Sequence, residues 1–170
     1  MFAVVVTGPP GSGKTSVITA LQNVLADDGV QHAVIEVEAL AWAYPSLTDE
    51  QSFRHVASVR EMYADAGFGL IVCGATVTSN GYLSALLQAL AATEQLVVRL
   101  DANAATLRQR IVDREPPEWS GLPQLVEATD GIARASRLLD DVDMTCSTEE
   151  ASPIEIADRI RAASPLLRPS

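Results

Sequence analysis

Apolar and polar positions along the chain alternate between the period of a strand and the period of a helix. Short apolar runs rich in β-branched residues predict five buried strands, at residues 2–6, 33–37, 69–73, 95–100 and 142–146. Between these runs, apolar residues recur at spacings of three and four, which is typical of amphipathic helices. This alternation favours an α/β fold with a parallel sheet covered by helices on both faces.

Capping residues, glycines and prolines set the ends of the predicted helices. Gly67 is expected to end the second helix, Asn103 to cap the fourth, and Pro116-Pro117 to stop it. Ser152-Pro153-x-Glu155 has the order of a capping box with proline at the first helical position. The predicted helices cover residues 16–25, 48–66, 79 or 80 to 93, 104–115, 122–128 and 131–139, with a last one from 152. We expect one domain over residues 1–170, because no repeat or linker divides it.

The loop between the first strand and the first helix carries the sharpest motif. Its sequence GPPGSGKT has the Gly-x-x-x-x-Gly-Lys-Thr spacing of a Walker A phosphate loop. Glycines let successive backbone N–H groups wrap an anion, and the helix that follows begins with unpaired N–H groups. The expected nucleotide-binding residues are Gly8, Pro9, Pro10, Gly11, Ser12, Gly13, Lys14, Thr15 and Ser16. In this motif the lysine reaches the β- and γ-phosphates, and the Thr15 hydroxyl is expected to ligate Mg²⁺.

Composition narrows the partners and the location. The formal net charge of −10 argues against a large nucleic-acid-binding surface. No apolar run approaches the length of a membrane span, and the first residues lack the basic region of a signal peptide. Cys73 and Cys146 stand alone in apolar runs, which indicates buried free thiols and a cytoplasmic location. Oligomeric state leaves no signal in the sequence.

The positions of lysine and of the acids decide between classes of phosphate-loop protein. Lys14 is the only lysine, so the Asn-Lys-x-Asp motif with which GTPases read guanine is absent. The third strand ends in Cys73-Gly74-Ala75 and offers no acid at the common Walker B position. Acids stand one strand earlier, at Glu36 and Glu38, where strand alternation predicts that both carboxylates face the cleft. The alternative for each is a solvated glutamate at a strand end.

With the phosphate loop and this acid pair, the sequence resembles small P-loop kinases of the shikimate, gluconate and adenylylsulfate kinase type. The resemblance implies a P-loop NTPase fold of three αβα layers, with a five-stranded parallel sheet in the order 2-3-1-4-5. It also implies ATP and Mg²⁺ as cofactors and a short helical lid at about 115–130. In those kinases the first acid helps to hold the magnesium shell, and the second contacts substrate or assists the attacking hydroxyl. The family has Asp-x-Asp where this chain has Glu36-x-Glu38.

Two arginines precede the double proline. Arg110 and Arg114 are four residues apart on the predicted fourth helix and therefore share a face. The stretch resembles the helix that enters the lid of these kinases, which implies one arginine near adenine and another over the γ-phosphate. We assign Arg110 to the nucleotide and Arg114 to catalysis, together with Lys14, Glu36 and Glu38. Surface ion pairing with Asp113 or Glu115 is the alternative.

Signals on the acceptor side are weaker. Arg54 resembles the arginine of the Phe-Arg pair with which shikimate kinases contact their acidic substrate, and Arg60 follows on the same helix. Gly74 corresponds to a glycine that lets substrate approach the third strand. We take these three residues and Glu38 as candidate substrate contacts; for the arginines, a solvated helix face is the alternative. Trp42 and Tyr44 are candidates for a pocket wall or for core packing.

The sequence therefore predicts an ATP- and Mg²⁺-dependent kinase that phosphorylates a small molecule through a hydroxyl or an acidic oxygen. Two alternatives remain open, a nucleotide or nucleoside kinase and a regulatory protein that binds ATP without catalysis. The acceptor cannot be identified from these residues, because the same fold serves many substrates.

Overall fold

The structure is a computed structural model, and it describes residues 1–168 of the chain. Five strands form one parallel sheet in the order β2-β3-β1-β4-β5. They are β1 (Phe2–Thr7), β2 (Ala33–Glu36), β3 (Leu70–Ala75), β4 (Glu94–Asp101) and β5 (Met144–Ser147). The predicted α/β fold and the predicted strand order are both confirmed, with the fifth strand two residues later at its start than its apolar run suggested.

The helices are α1 (Lys14–Asp27), α2 (Val37–Leu40), α3 (Asp49–Asp65), α4 (Asn80–Ala89), α5 (Ala104–Arg114), α6 (Leu122–Arg137) and α7 (Pro153–Ala163), of which all but α7 connect strands. A 3₁₀ turn, Pro165–Leu167, follows α7. The predicted caps Asn103 and Ser152 both accept hydrogen bonds from the first turns of their helices. Within residues 1–168 no helix combines the length and the apolar character needed to cross a bilayer.

The strands bury both of their faces, as expected for a parallel sheet. On β1, Val4 and Val6 pack with α1 and α7, whereas Ala3 and Val5 pack with α3 and α4. Two apolar cores therefore sandwich the sheet and hold its carboxyl edge in place. Cys73 and Cys146 lie in these cores as buried free thiols, as the sequence predicts.

The helix predicted to run to 93 ends at Ala89, and two further predicted elements are wrong in detail. The chain does not continue as a strand through Glu36-Val37-Glu38, because β2 ends at Glu36 and α2 begins at Val37. The two short helices expected at 122–128 and 131–139 are one helix, α6, which passes through Gly131 without a break. In this helix, packing against α5 outweighs the roughly 1 kcal/mol by which glycine disfavours a helix interior.

Candidate nucleotide and acceptor site

The phosphate loop joins β1 to α1 at the centre of the sheet. Gly8, Gly11 and Gly13 have φ angles of +153°, +79° and +88°, a conformation that residues with side chains rarely adopt. A Cβ on Gly11 would lie 2.5 Å from the Leu107 carbonyl oxygen, so α5 also requires glycine there. Gly13 caps α1 without a side-chain hydrogen bond, which leaves the first N–H groups of the helix free for an anion.

Lys14 is the first residue of α1, and its ammonium group folds back over the loop. Its Nζ donates hydrogen bonds to the carbonyl oxygens of Gly8, at 2.9 Å, and Pro9, at 3.4 Å. Burial lowers the pKa of Lys14, the charges of Glu38 and Glu36 oppose that shift, and the charge of Arg114 adds to it. The other three predicted catalytic side chains therefore lie close enough to Lys14 for their charges to act on it.

Thr15 and Glu36 meet beside the lysine. The Thr15 hydroxyl donates a hydrogen bond to Glu36 Oε2 at 3.3 Å. These are the two residues predicted for magnesium, and their hard oxygen atoms suit that ion. Residues 1–168 contain no group of three or more His, Cys, Asp or Glu side chains that could hold a metal ion alone. The pair fits a Mg²⁺ ion that takes its remaining ligands from phosphate and water.

Glu38 reaches the site by a different route from the one predicted. It lies on α2, and its Oε1 accepts a hydrogen bond from the backbone N–H of Thr76 at 2.6 Å. Thr76 directly follows β3, so this bond ties α2 to the next strand of the sheet. A helical turn, rather than strand alternation, brings Glu36 and Glu38 to the same cleft. The second carboxylate oxygen of Glu38 has no hydrogen-bond partner within residues 1–168.

Arg110 connects the phosphate loop to the segment after β5. Its guanidinium donates to the Gly11 carbonyl at 3.3 Å, to the Thr148 hydroxyl at 2.8 Å and to the Thr148 carbonyl at 3.0 Å. Beside it lies a cavity of about 250 Å³, lined by Gly13, Ser16, Val17, Arg110, Thr148, Ala151, Pro153 and Ile156. The cavity opens next to the phosphate loop and is lined in part by Arg110, the arginine assigned to the nucleotide. Thr148 itself carries no sequence signal, because its role depends on where β5 ends in space.

Arg114 is held by its neighbour. Its Nη2 lies 2.6 Å from Glu115 Oε1, and its side chain is 59% exposed. Ion pairing was the alternative interpretation for this residue, and the pair is present. Nevertheless the positive charge is close enough to lower the pKa of Lys14. The segment after it, which includes Trp119, leads into α6 and carries the predicted lid, whose mobility stays a prediction.

The structure places the acceptor-side candidates Arg54, Arg60 and Gly74 in different surroundings. Arg54 is exposed and has no ion pair within residues 1–168. Arg60 lies eleven residues into α3, roughly 17 Å along the axis from its start at the carboxyl edge, and it pairs with Glu61 at 3.4 Å. A Cβ on Gly74 would lie 2.6 Å from Ile18 Cδ1, so this glycine makes room for α1. Arg60 is therefore not brought to the site.

Aromatic side chains lie on the side of the cleft where the acceptor is predicted to bind. Trp42 and Tyr44 stand in the loop between α2 and α3, where Trp42 is 91% exposed and Tyr44 fully exposed. They are not core residues. Sequence reasoning missed a further pair, Phe53 on α3 and Tyr82 on α4, whose ring centroids are 4.9 Å apart. The only available signal was the position of Tyr82 just after the predicted cap of α4.

Comparison with solved structures supports the assignment of the fold. A sugar kinase from Janibacter sp. HTCC2649 superposes with a TM-score of 0.65 at 24% identity, over 95% of this chain and 93% of that chain. The APS kinase of Mycobacterium tuberculosis, in complex with AMPPNP and APS, gives 0.69 at 20% identity over 94% and 95%. A shikimate kinase from Acinetobacter baumannii in complex with shikimate gives 0.53 at 17% identity over 95% and 91%. No family model and no curated protein matches the chain.

These matches cover 94–95% of this chain. The protein has the α/β fold of the small P-loop kinases, as the sequence resemblance implied. At these identities the likeness shows the fold alone. Activity must be argued from the residues of the cleft.

Proposed function

We propose that the protein is a Mg²⁺-dependent kinase that transfers the γ-phosphoryl group of ATP to a hydroxyl group of a small molecule. The observation that carries this proposal is the convergence of Lys14, Glu36, Glu38 and Arg114 on one phosphate loop. A loop that only bound nucleotide would need the lysine and the cradle. It would not need a carboxylate beyond the metal ligand, fixed on the next strand by a backbone N–H.

Each residue has a role that its contacts support. Lys14 and Arg114 neutralise charge on the transferred group, and Thr15 and Glu36 would hold a magnesium ion, which would supply further positive charge to the phosphates. Arg110 and Thr148 border the nucleotide pocket. Glu38, with one oxygen fixed and the other open, takes the proton as the acceptor oxygen bonds to phosphorus and ADP leaves. Catalysis then rests on positioning and charge neutralisation.

The first test of the proposal measures ADP release with ATP·Mg²⁺ and a panel of sugars, polyols, nucleosides and acidic metabolites. We expect ADP only when an acceptor is present. Lys14→Ala should lower kcat at least about 10³-fold, because it removes a partly buried cation from the phosphate cradle. Arg159→Ala, which removes an exposed cation on α7, is the control and should leave kcat unchanged.

The alternatives predict different results in the same assay. A nucleotide or nucleoside kinase would turn over only with nucleosides or nucleotides as acceptor. A regulatory protein would bind ATP tightly and show no acceptor-stimulated turnover with any compound. Full activity of Lys14→Ala would refute the proposed mechanism outright.

A further inference from the structure

The space between α3 and α4, at the carboxyl edge of the sheet, contains an aromatic pair that the proposed chemistry does not use. The ring planes of Phe53 and Tyr82 are inclined at 67°, an edge-to-face contact that fixes both rings. Tyr82 lies on the first turn of α4, where its N–H donates to Ser79 Oγ at 3.1 Å. The phenol is therefore held by two helices just beyond the end of β3.

The Tyr82 hydroxyl is the unpartnered group of this pair. Within residues 1–168 it makes no hydrogen bond, although the ring is half-buried. Burial raises the pKa of Tyr82 to about 12, and the negative charges of Glu38 and Asp49 are the next contributors. At neutral pH the phenol is protonated, so it is available as a hydrogen-bond donor, and Glu38 is close enough for its charge to act on it.

The charges around this hydroxyl are negative. Glu38 is hydrogen-bonded to the backbone N–H of Thr76, Asp49 begins α3, and both carboxylates act to raise the pKa of Tyr82. The arginines of α3 do not offset these negative charges. Phe53 is the α3 residue that contacts Tyr82, and Arg54, one residue later, is turned by about 100° around the helix. Arg60 lies farther along α3 and pairs with Glu61. Within residues 1–168 no lysine or arginine is among the charges that shift the pKa of Tyr82, so an anionic group placed against this hydroxyl would meet like charge.

From this arrangement we propose that Tyr82 is a specificity-determining residue that donates a hydrogen bond to the phosphate acceptor. The part of the acceptor that lies against it is uncharged or cationic, as in a polyol or an amino sugar, and is not a carboxylate or a sulfate. Aromatic faces with hydrogen-bonding groups at their edges suit such polyhydroxylated molecules. The inference rests on the proposed kinase activity and narrows its acceptor class.

The experiment compares three probes of similar size, glucose, glucosamine and gluconate, with saturating ATP·Mg²⁺. We expect kcat/KM for glucose or glucosamine to exceed that for gluconate at least tenfold. Tyr82→Phe should raise the KM of the preferred probe about three- to tenfold, the effect of one lost hydrogen bond, and leave the KM of ATP unchanged. Asp49→Asn should reduce the ratio of kcat/KM for the preferred probe to kcat/KM for gluconate, because it removes one of the two negative charges that repel gluconate.

Tyr63→Phe is the matched control. Tyr63 makes an equivalent edge-to-face contact with Phe68, at 5.6 Å and 73°, near the other end of α3. The control should leave the KM of the preferred probe and the KM of ATP unchanged, which distinguishes a role of the hydroxyl in binding from a role in aromatic packing. Thermal unfolding of both variants verifies that each remains folded.

Each outcome bears on a defined part of the inference. A preference for gluconate would overturn the acceptor class while leaving the kinase activity intact. An unchanged acceptor KM in Tyr82→Phe would overturn the role of Tyr82. No turnover with any of the three probes or with the wider panel, in protein shown to bind ATP, would overturn both the inference and the proposed function.

Discussion

Glu38 shows how a correct residue can be reached through a wrong local structure. The sequence pattern placed Glu36 and Glu38 on one face of a strand, whereas a turn of helix begins between them. What fixes Glu38 is the N–H of Thr76, thirty-eight residues away in sequence. No periodicity within β2 could indicate that partner, because it depends on how β2 and β3 pair.

Glu38→Gln tests the role of this carboxylate. The amide oxygen can still accept the Thr76 N–H, but the side chain can no longer take a proton. We expect kcat to fall about 10²-fold or more while the Kd of ATP changes less than twofold. Single-turnover kinetics and nucleotide titration separate these quantities. Glu50→Gln, an exposed carboxylate on the first turn of α3, is the control; equal kcat values in the two variants would argue against a base at Glu38.

At the scale of elements, local pattern predicted most of the fold. The five strands and the phosphate loop follow from apolar runs, glycines and caps, which act over a few residues. The sheet order came from the resemblance to small P-loop kinases and not from those patterns. Thr148 and Tyr82 escaped prediction because their contacts, to Arg110 and Phe53, are made between elements distant in sequence.

The sequence predicted two helices, at 122–128 and 131–139, where the structure has the single helix α6, and this continuity can be tested. Gly131 lies inside the helix, and a Cβ there would meet no atom within 4 Å. Gly131→Ala should therefore raise the free energy of unfolding by about 0.5–1 kcal/mol. Gly67→Ala is the matched control: its Cβ would also enter open space, but φ is +90°, so it should destabilise the protein. Urea unfolding measures both, and a destabilised Gly131→Ala would mean that α6 is not continuous.

For the whole molecule, the position of β1 makes the phosphate loop the junction of the two halves of the sheet. Thr7 accepts a hydrogen bond from the N–H of Val77, after β3, and Gly11 accepts one from Arg110, which also binds the segment after β5. A nucleotide in the cleft would therefore contact groups carried by both halves.

Binding of ATP·Mg²⁺ should consequently stabilise the entire described chain. At a ligand concentration of 100 times Kd the gain is about 2.7 kcal/mol, which corresponds to a rise in Tm of roughly 5–10 °C for a protein of this size. Scanning calorimetry with and without nucleotide measures the shift. Lys14→Ala should lose most of the rise in Tm caused by nucleotide. A full rise in Tm in that variant would contradict the assignment of the phosphate-binding loop.

The two tryptophans of the chain stand on opposite sides of that junction. Trp42 follows α2 and is 91% exposed, and Trp119 follows α5 and is 44% exposed. The protein thus carries an intrinsic optical reporter on each side of the cleft. Emission from wild type, Trp42→Phe and Trp119→Phe would resolve which wall loses water when acceptor or nucleotide enters, without any attached dye.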